Sequence, residues 1–333
     1  MTFASLRGLV PLRRGLPALA ALCCLLAGSI ALAQPGVPVP KLIKIVVPFS
    51  AGASNDVIAR AIAVQLAKRL DTAVIVENKA GAAGVIGADA VAKSPKDGSV
   101  LLLTSSTFNT AAATAANLPY DAIAAFAPVA MVGQGPLLLA VTSAAPYRST
   151  GELFAAAREK PGVINYGSAG VGSVGHMATE LLNDVAKVQM THVPYKGAAN
   201  AVVDLAAGQI QAMLSSYSTL APLVKSGKVR LLAVTSKEKH PAFPELPPIA
   251  SAAPGYAMDI WVGVFAPAGT PPAFVDRLNR EINEISASPE LGTILEPEGT
   301  IPQAMTPAAF GTKVKDELAQ WKRIAAERKI VAE

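Results

Sequence analysis

From residue 42 onward, short apolar runs alternate with stretches in which apolar residues recur every three or four positions. The run 42–49 reads as a strand, and Ile58, Ala61, Ile62, Leu66 and Leu70 then fall on one face of a helix, with Ser54, Asn55 or Asp56 available to cap it. Further strand patterns lie at 73–77 and 100–104, with a helix over 85–92 between them. Strands alternating with helices predict a parallel, doubly wound sheet. Two apolar runs within 129–142, broken at Gly133-Gln134-Gly135-Pro136, lead out of this unit.

A second series repeats the theme: helix 150–159, strand 163–167, helix 176–186, strand 189–193, helix 198–206, strand 209–214, helix 218–226 and strand 229–235. After a Pro-rich stretch, 259–265 is one more strand, and helices close the chain around 271–286, 289–295 and 306–327. The expected organisation is a discontinuous first lobe, 40–142 plus 258–333, and a second lobe, 143–257. The chain crosses between them near Thr142 to Pro146 and again near Pro254 to Asp259, so these are the expected hinges of a cleft.

The N-terminus differs in kind. Arg7, Arg13 and Arg14 precede an almost wholly apolar stretch, 16–32, and Ala31-Leu32-Ala33 has the small-x-small form of a cleavage site. This predicts a signal peptide over 1–33 and release into the periplasm. The apolar stretch is at the short end of the roughly 20 residues a membrane span needs, and Pro17 interrupts its start. Both cysteines, Cys23 and Cys24, lie inside the leader, which leaves the mature chain no thiol for a disulfide, a metal or a nucleophile. The net charge of +5 includes three leader arginines and no leader acids, so the mature chain carries about +2. With scattered charges and only 5% aromatic residues, nucleic acid is not an expected partner.

Candidate chemistry concentrates at strand ends. Gly167-Ser168-Ala169-Gly170-Val171-Gly172-Ser173-Val174-Gly175-His176 holds a Gly-x-Gly-x-x-Gly run between a strand and a helix, the order a dinucleotide site requires. Such a site also needs an acidic residue at the end of the following strand, and Val188-Gln189-Met190-Thr191-His192-Val193 has none. Glycines at a helix N-terminus equally suit a carboxylate, because backbone N–H groups approach it without a Cβ in the way and Ser168 and Ser173 add hydroxyls. The plain alternative is that they only make a tight turn. A second donor-rich loop, Ser50 to Asp56, favours the anion reading.

The chain from about Lys41 to the last helix resembles the substrate-binding receptors of tripartite tricarboxylate transporters, also called Bug receptors. The resemblance rests on Val47-Pro48-Phe49-Ser50-Ala51-Gly52 with Asp56, Ala59 and Arg60, and on Val76-Glu77-Asn78-Lys79 with Gly81 and Gly84. It rests further on the glycine loop, on His192-Val193-Pro194-Tyr195-Lys196-Gly197, and on Phe265-Ala266-Pro267-Ala268-Gly269-Thr270-Pro271. It implies a two-lobed α/β periplasmic-binding-protein (Venus flytrap) fold, type II-like, a small organic carboxylate held between the lobes, and delivery to a membrane permease. It implies a monomer with no cofactor. Carried over residue by residue, it places Phe49, Ala51, Gly52, Ala53 and Ser54 opposite Ser168, Ala169, Gly170, Gly172 and Ser173. Ala53 departs from the family's usual second glycine. Asp56 is expected to cap the helix, since a carboxylate there would repel an anion.

Around these loops, His176 is either a structural side chain or a cleft donor, Tyr195 packs on the ligand or braces the hinge, and Lys196 is a solvated charge or a cleft residue. Ser105, Thr107, Ser215 and Ser216 are uncharged donors at strand ends, expected to set selectivity. The rival class is a secreted NAD-binding or hydrolytic α/β enzyme. A hydrolase elbow, Gly-x-Ser-x-Gly, is absent because Val171 stands at its first glycine before Ser173, and three histidines without a mature cysteine supply a metal site poorly.

Overall fold

The computed structural model describes residues 38–332, together with Met1, Thr2 and Ala4. The expected leader therefore lies, but for those three residues, outside the described chain. Among the described residues no helix is long and apolar enough to cross a membrane.

The apolar runs become strands and the periodic stretches helices. In chain order these are β1 (Leu42–Val47), α1 (Ser54–Leu70), β2 (Ala73–Asn78), α2 (Val85–Ala92), β3 (Val100–Ser105), α3 (Thr107–Thr114) and β4 (Phe126–Gly135). Then follow β5 (Leu138–Thr142), α4 (Thr150–Glu159), β6 (Asn165–Ser168), α5 (Val174–Val185), β7 (Thr191–Pro194), α6 (Ala198–Ala206), β8 (Ala212–Ser215), α7 (Tyr217–Lys225) and β9 (Val229–Val234). The chain ends with β10 (Ile260–Pro267), α8 (Pro272–Ser286), α9 (Pro289–Leu295), β11 (Ile301–Pro302) and α10 (Pro307–Arg328).

Two sheets organise the lobes, in the orders β11-β4-β10-β3-β1-β2 and β7-β6-β8-β5-β9. The expected parallel pairing holds for part of each sheet, and both sheets are mixed. The runs β2-β1-β3 and β7-β6-β8 are parallel, but β10 is antiparallel to β3 and β4, and β5 is antiparallel to β8 and β9. The cause is where the chain enters. Each of these two strands follows a crossing from the other lobe, so it starts at the cleft end of its sheet and runs away from it. Ile260 begins β10 opposite Gly135, the last residue of β4, and Leu138 begins β5 opposite Ser215, the last residue of β8.

That pairing also moves a boundary. Leu138–Thr142, expected in the first lobe, belongs to the second sheet, which puts the first crossing at Pro136-Leu137, ahead of Thr142 to Pro146. Along β5 the alternation has period two: Leu139 and Val141 face one core with Tyr166 and Met177, while Leu138 and Ala140 face another with Leu205 and Met213. A strand buried on both faces reads as a continuous apolar run wherever it sits.

The last helix joins the lobes. Phe310, Val314 and Leu318 pack in the first lobe's core with Phe108, Trp261 and Phe265, whereas Trp321, Ile324 and Ala325 pack in the second lobe's core with Met177 and Leu182. Arg328 pairs with Asp184 of α5 at 2.9 Å. Between the two halves of this helix, the Glu317 carboxylate accepts from both indoles, Trp261 Nε1 at 2.5 Å and Trp321 Nε1 at 3.1 Å. The last helix thus contributes to the cores of both lobes.

Candidate functional site

Both donor-rich loops lie at the carboxyl ends of parallel strands and lead into helix N-termini, where the first amides have no intrahelical acceptor. In the first lobe the loop after β1 enters α1. Ala53 occupies the N-cap position without a side-chain cap, and none of Ser54, Asn55 or Asp56 caps the helix as expected. Asp56 is instead buried inside the first turn. It accepts the Gly52 N–H at 2.8 Å, the Asn78 amide at 2.9 Å and the Arg60 guanidinium at 2.9 and 3.0 Å. Burial pushes its carboxyl up, but Arg60, Gly52 and Asn78 together hold it below the ordinary range. Asn78 also donates to the Phe49 carbonyl, so the Val76-Glu77-Asn78-Lys79 motif anchors this loop.

The loop's free donors consequently differ from those read in the sequence. Gly52 N–H is taken by Asp56 and Ala53 N–H by the Ser50 carbonyl at 3.2 Å. Among the described residues, the Ala51, Ser54 and Asn55 amides have no protein acceptor. The glycine loop of the second lobe shows the same economy. Gly170 N–H donates to Ser168 Oγ at 3.1 Å and Gly172 N–H donates to His176 Nδ1 at 3.2 Å. Ser173 is the N-cap of α5, its hydroxyl accepting from the His176 amide. Among the described residues, the amides left without a protein acceptor are those of Ala169, Val171, Val174 and Gly175.

The remaining candidates fall into place around these loops. Ser168 is fully buried with its hydroxyl between Gly170 of its own loop and His192 of β7, and Ser105 and Thr107 are buried at the end of β3 and the start of α3. Ser215 is buried at the end of β8, and Ser216 shares its hydroxyl with Ser218 and Thr219 at the start of α7. Tyr195 donates to Asp204 Oδ2 at 2.7 Å within its own lobe. Lys196 is exposed. His176 is buried and faces inward, stacked on His192 with ring centroids 3.7 Å apart and planes 9° apart.

Two contacts and a shared pocket bring the lobes together here. A Cβ on Gly172 would lie 2.2 Å from Thr114 Oγ1 of α3, so the glycine loop packs on the first lobe's third helix. The Glu298 carboxylate accepts from the Ser218 amide of α7 at 3.3 Å, and burial raises its pKa. Beside it, residues of both lobes, among them His240, Glu296, Gly299 and Thr300, line a pocket of about 260 Å³. Sequence reasoning singled out neither Thr114 nor Glu298 and met His192 only as part of the 192–197 motif, because each acts on a loop distant in the chain.

The Ser168–His192 pair, 2.6 Å apart, has the reach of a nucleophile and its base. Its surroundings speak against that role. Ser168 is fully buried, burial and the neighbouring His176 push the His192 ring down to about 3, and among the described residues no carboxylate bonds its other nitrogen. No group of three or more potential metal ligands occurs among the described residues either.

Residues 58–330 match the family described as tripartite tricarboxylate transporter family receptor. The chain belongs to that family. The receptor is similar in structure to Rpa4515 of R. palustris, solved with adipate, at 33% identity and a TM-score of 0.81, covering 87% of this chain and 98% of that one. The periplasmic binding protein BugD gives 31% identity and a TM-score of 0.80 over 89% of this chain and all of that one. MatC (Rpa3494) from Rhodopseudomonas palustris, solved with bound malate, gives 30% and 0.77 over 85% and 98%. The receptor has the two-lobed periplasmic-binding-protein fold, and its family is one of solute receptors rather than enzymes.

Proposed function

We propose that this receptor captures a small organic carboxylate in the periplasm, holds it between the loop after β1 and the loop after β6, and hands it as a monomer to a membrane permease. The observation that carries this reading is the pair of helix N-termini, each presenting amides without protein acceptors: Ala51, Ser54 and Asn55 on one lobe, Ala169, Val171, Val174 and Gly175 on the other. Helix N-termini favour negative charge, and a carboxylate has two oxygens with room for several N–H donors. The acid of the first loop is already engaged, since Asp56 is tied to Arg60, Asn78 and Gly52. The relatives solved with adipate and malate hold dicarboxylates, which sets the first ligands to try.

The decisive experiment is mass spectrometry of what copurifies with the mature chain, then calorimetry on the matched set of free acid, methyl ester and primary amide. The acid binds and both neutral forms bind at least 100-fold more weakly. Equal affinities across the set would sink the anion reading.

A further inference from the structure

We propose that His192, acting with His176, is a positioning residue of the carboxylate loop: two stacked, neutral imidazoles of the same tautomer hold Ser168–Gly172 in the shape that leaves the neighbouring amides free. The inference rests on the proposed function of this loop and adds to it the device that sets its geometry.

The hydrogen bonds dictate the tautomers. Gly172 N–H donates to His176 Nδ1 at 3.2 Å, so that nitrogen carries a lone pair and the proton sits on Nε2. Ser168 Oγ has three partners: the Gly170 amide at 3.1 Å, the Gly170 carbonyl at 3.0 Å and His192 Nε2 at 2.6 Å. A hydroxyl has one proton and two lone pairs. The assignment that satisfies all three contacts has the Gly170 amide and His192 Nε2–H donating to Oγ, and Oγ–H donating to the Gly170 carbonyl. His192 is then also the Nε2–H tautomer.

The stack fixes both rings against rotation. His176 and His192 lie nearly parallel at 3.7 Å, and Tyr166 lies alongside them, its ring centroid 5.0 Å from His192 and 6.3 Å from His176, its own hydroxyl held by Glu180 at 2.7 Å. Proton uptake by His176 at Nδ1 would remove the acceptor of Gly172, and charging either ring would place a cation against its stacked neighbour. Burial keeps both neutral, with His176 pushed down to about 4. Two side chains 16 positions apart, one on α5 and one on β7, thus fix the two glycine amides, and neither ring needs to touch the ligand.

The isosteres separate this role from plain packing. Asparagine places Oδ1 where His176 has Nδ1, and glutamine places an N–H donor where His192 has Nε2. We expect nitrogen-15 spectra of the unliganded mature receptor at pH 7 to show both rings as Nε2–H tautomers. Amide exchange at Gly172 in His176→Leu and at Gly170 in His192→Leu quickens at least tenfold, while His176→Asn and His192→Gln restore it to within threefold. With adipate and malate as test ligands, the Leu variants lose at least tenfold in affinity and the isosteres recover it. An Nδ1–H tautomer at either ring, or unchanged Gly170 and Gly172 exchange in folded Leu variants, overturns the proposal without ligand. Loosened loops with unaltered affinity would instead overturn the carboxylate role of the loop and leave the positioning role standing.

Discussion

Replacing Gly172 by Ala tests whether the glycine loop meets the other lobe as the structure has it. Two costs arise and they differ in origin. Gly172 has φ +77°, in the left-handed region, where an L-residue costs about 1–2 kcal/mol. The added Cβ would also sit 2.2 Å from Thr114 Oγ1 and 3.3 Å from Thr114 Cβ, against an ordinary contact of 3.4 Å or more. Thr114 gives way poorly, because its hydroxyl donates to the Thr110 carbonyl at 2.9 Å and its carbonyl accepts from the Ala332 amide. Overpacking of this kind costs roughly 1–3 kcal/mol.

The backbone strain belongs to the second lobe alone, whereas the clash exists only when the lobes are in contact. Thr114→Ala removes Oγ1 and relieves most of the clash while leaving the strain. A double-mutant cycle on Gly172→Ala and Thr114→Ala, read by urea unfolding and by calorimetry with a bound dicarboxylate, should give a favourable coupling of about 1–3 kcal/mol, or roughly 5- to 150-fold in affinity. Gly52→Ala is the control: its φ is +79° but nothing lies within 4 Å of its Cβ, so it shows strain of about 1–2 kcal/mol without coupling to Thr114. A Gly172→Ala penalty that is the same with and without Thr114 would refute the inter-lobe contact and reduce Gly172 to a turn former.

Two further outcomes follow from buried ionisable groups. His176 and His192 fold with pKa values depressed to about 4 and about 3, so they bind protons more readily unfolded; their stabilisation is present above the ordinary histidine range and lost as pH falls towards those values. Between pH 7 and 5 the loss is on the order of 3 kcal/mol, measured as the difference in unfolding free energy between the parent and His176→Asn/His192→Gln, because Glu298, Glu317 and Asp259, raised by burial, act in the opposite sense. The chain's two tryptophans both donate to Glu317, one from each lobe's core, so lobe closure on a saturating ligand should change intrinsic fluorescence together with the radius of gyration in small-angle scattering. A calorimetrically verified ligand that alters neither would mean that the lobes do not move.

Element types were legible in the sequence because periodicity survives folding. The 3.6-residue pattern at Ile58, Ile62, Leu66 and Leu70 and the apolar runs at 42–49 and 100–104 became the helix and strands they indicated. Strand direction and lobe membership were not, since β5 is buried on both faces and periodicity carries no information about its neighbours. The positions of the donor loops were legible, but which amides are free was only partly so. Ser168 reaches Gly170 two residues on and His176 reaches back four residues to Gly172, spacings that local side-chain capping could have suggested. Asp56 reaches Gly52 at the same four-residue spacing. His192, 24 residues from Ser168, comes into reach only because β6 and β7 pair in register, with Tyr166 opposite His192.

The chemistry of these loops bears on how a receptor lets go. The groups that would meet a carboxylate are neutral: amides at two helix N-termini, hydroxyls at strand ends, and an acid–base pair, Asp56–Arg60, already closed on itself. Hydrogen bonds to a charged acceptor contribute about 1.5–3 kcal/mol each when water is kept out and far less when it is not. An arginine clamp would keep much of its attraction in an open cleft; dipoles of this kind do not, because each lobe alone offers only a few solvated N–H groups. Affinity in the proposed site therefore depends on the lobes meeting, through Gly172 on Thr114 and Glu298 on Ser218, and any partner that pries those contacts apart weakens the ligand's hold without touching it.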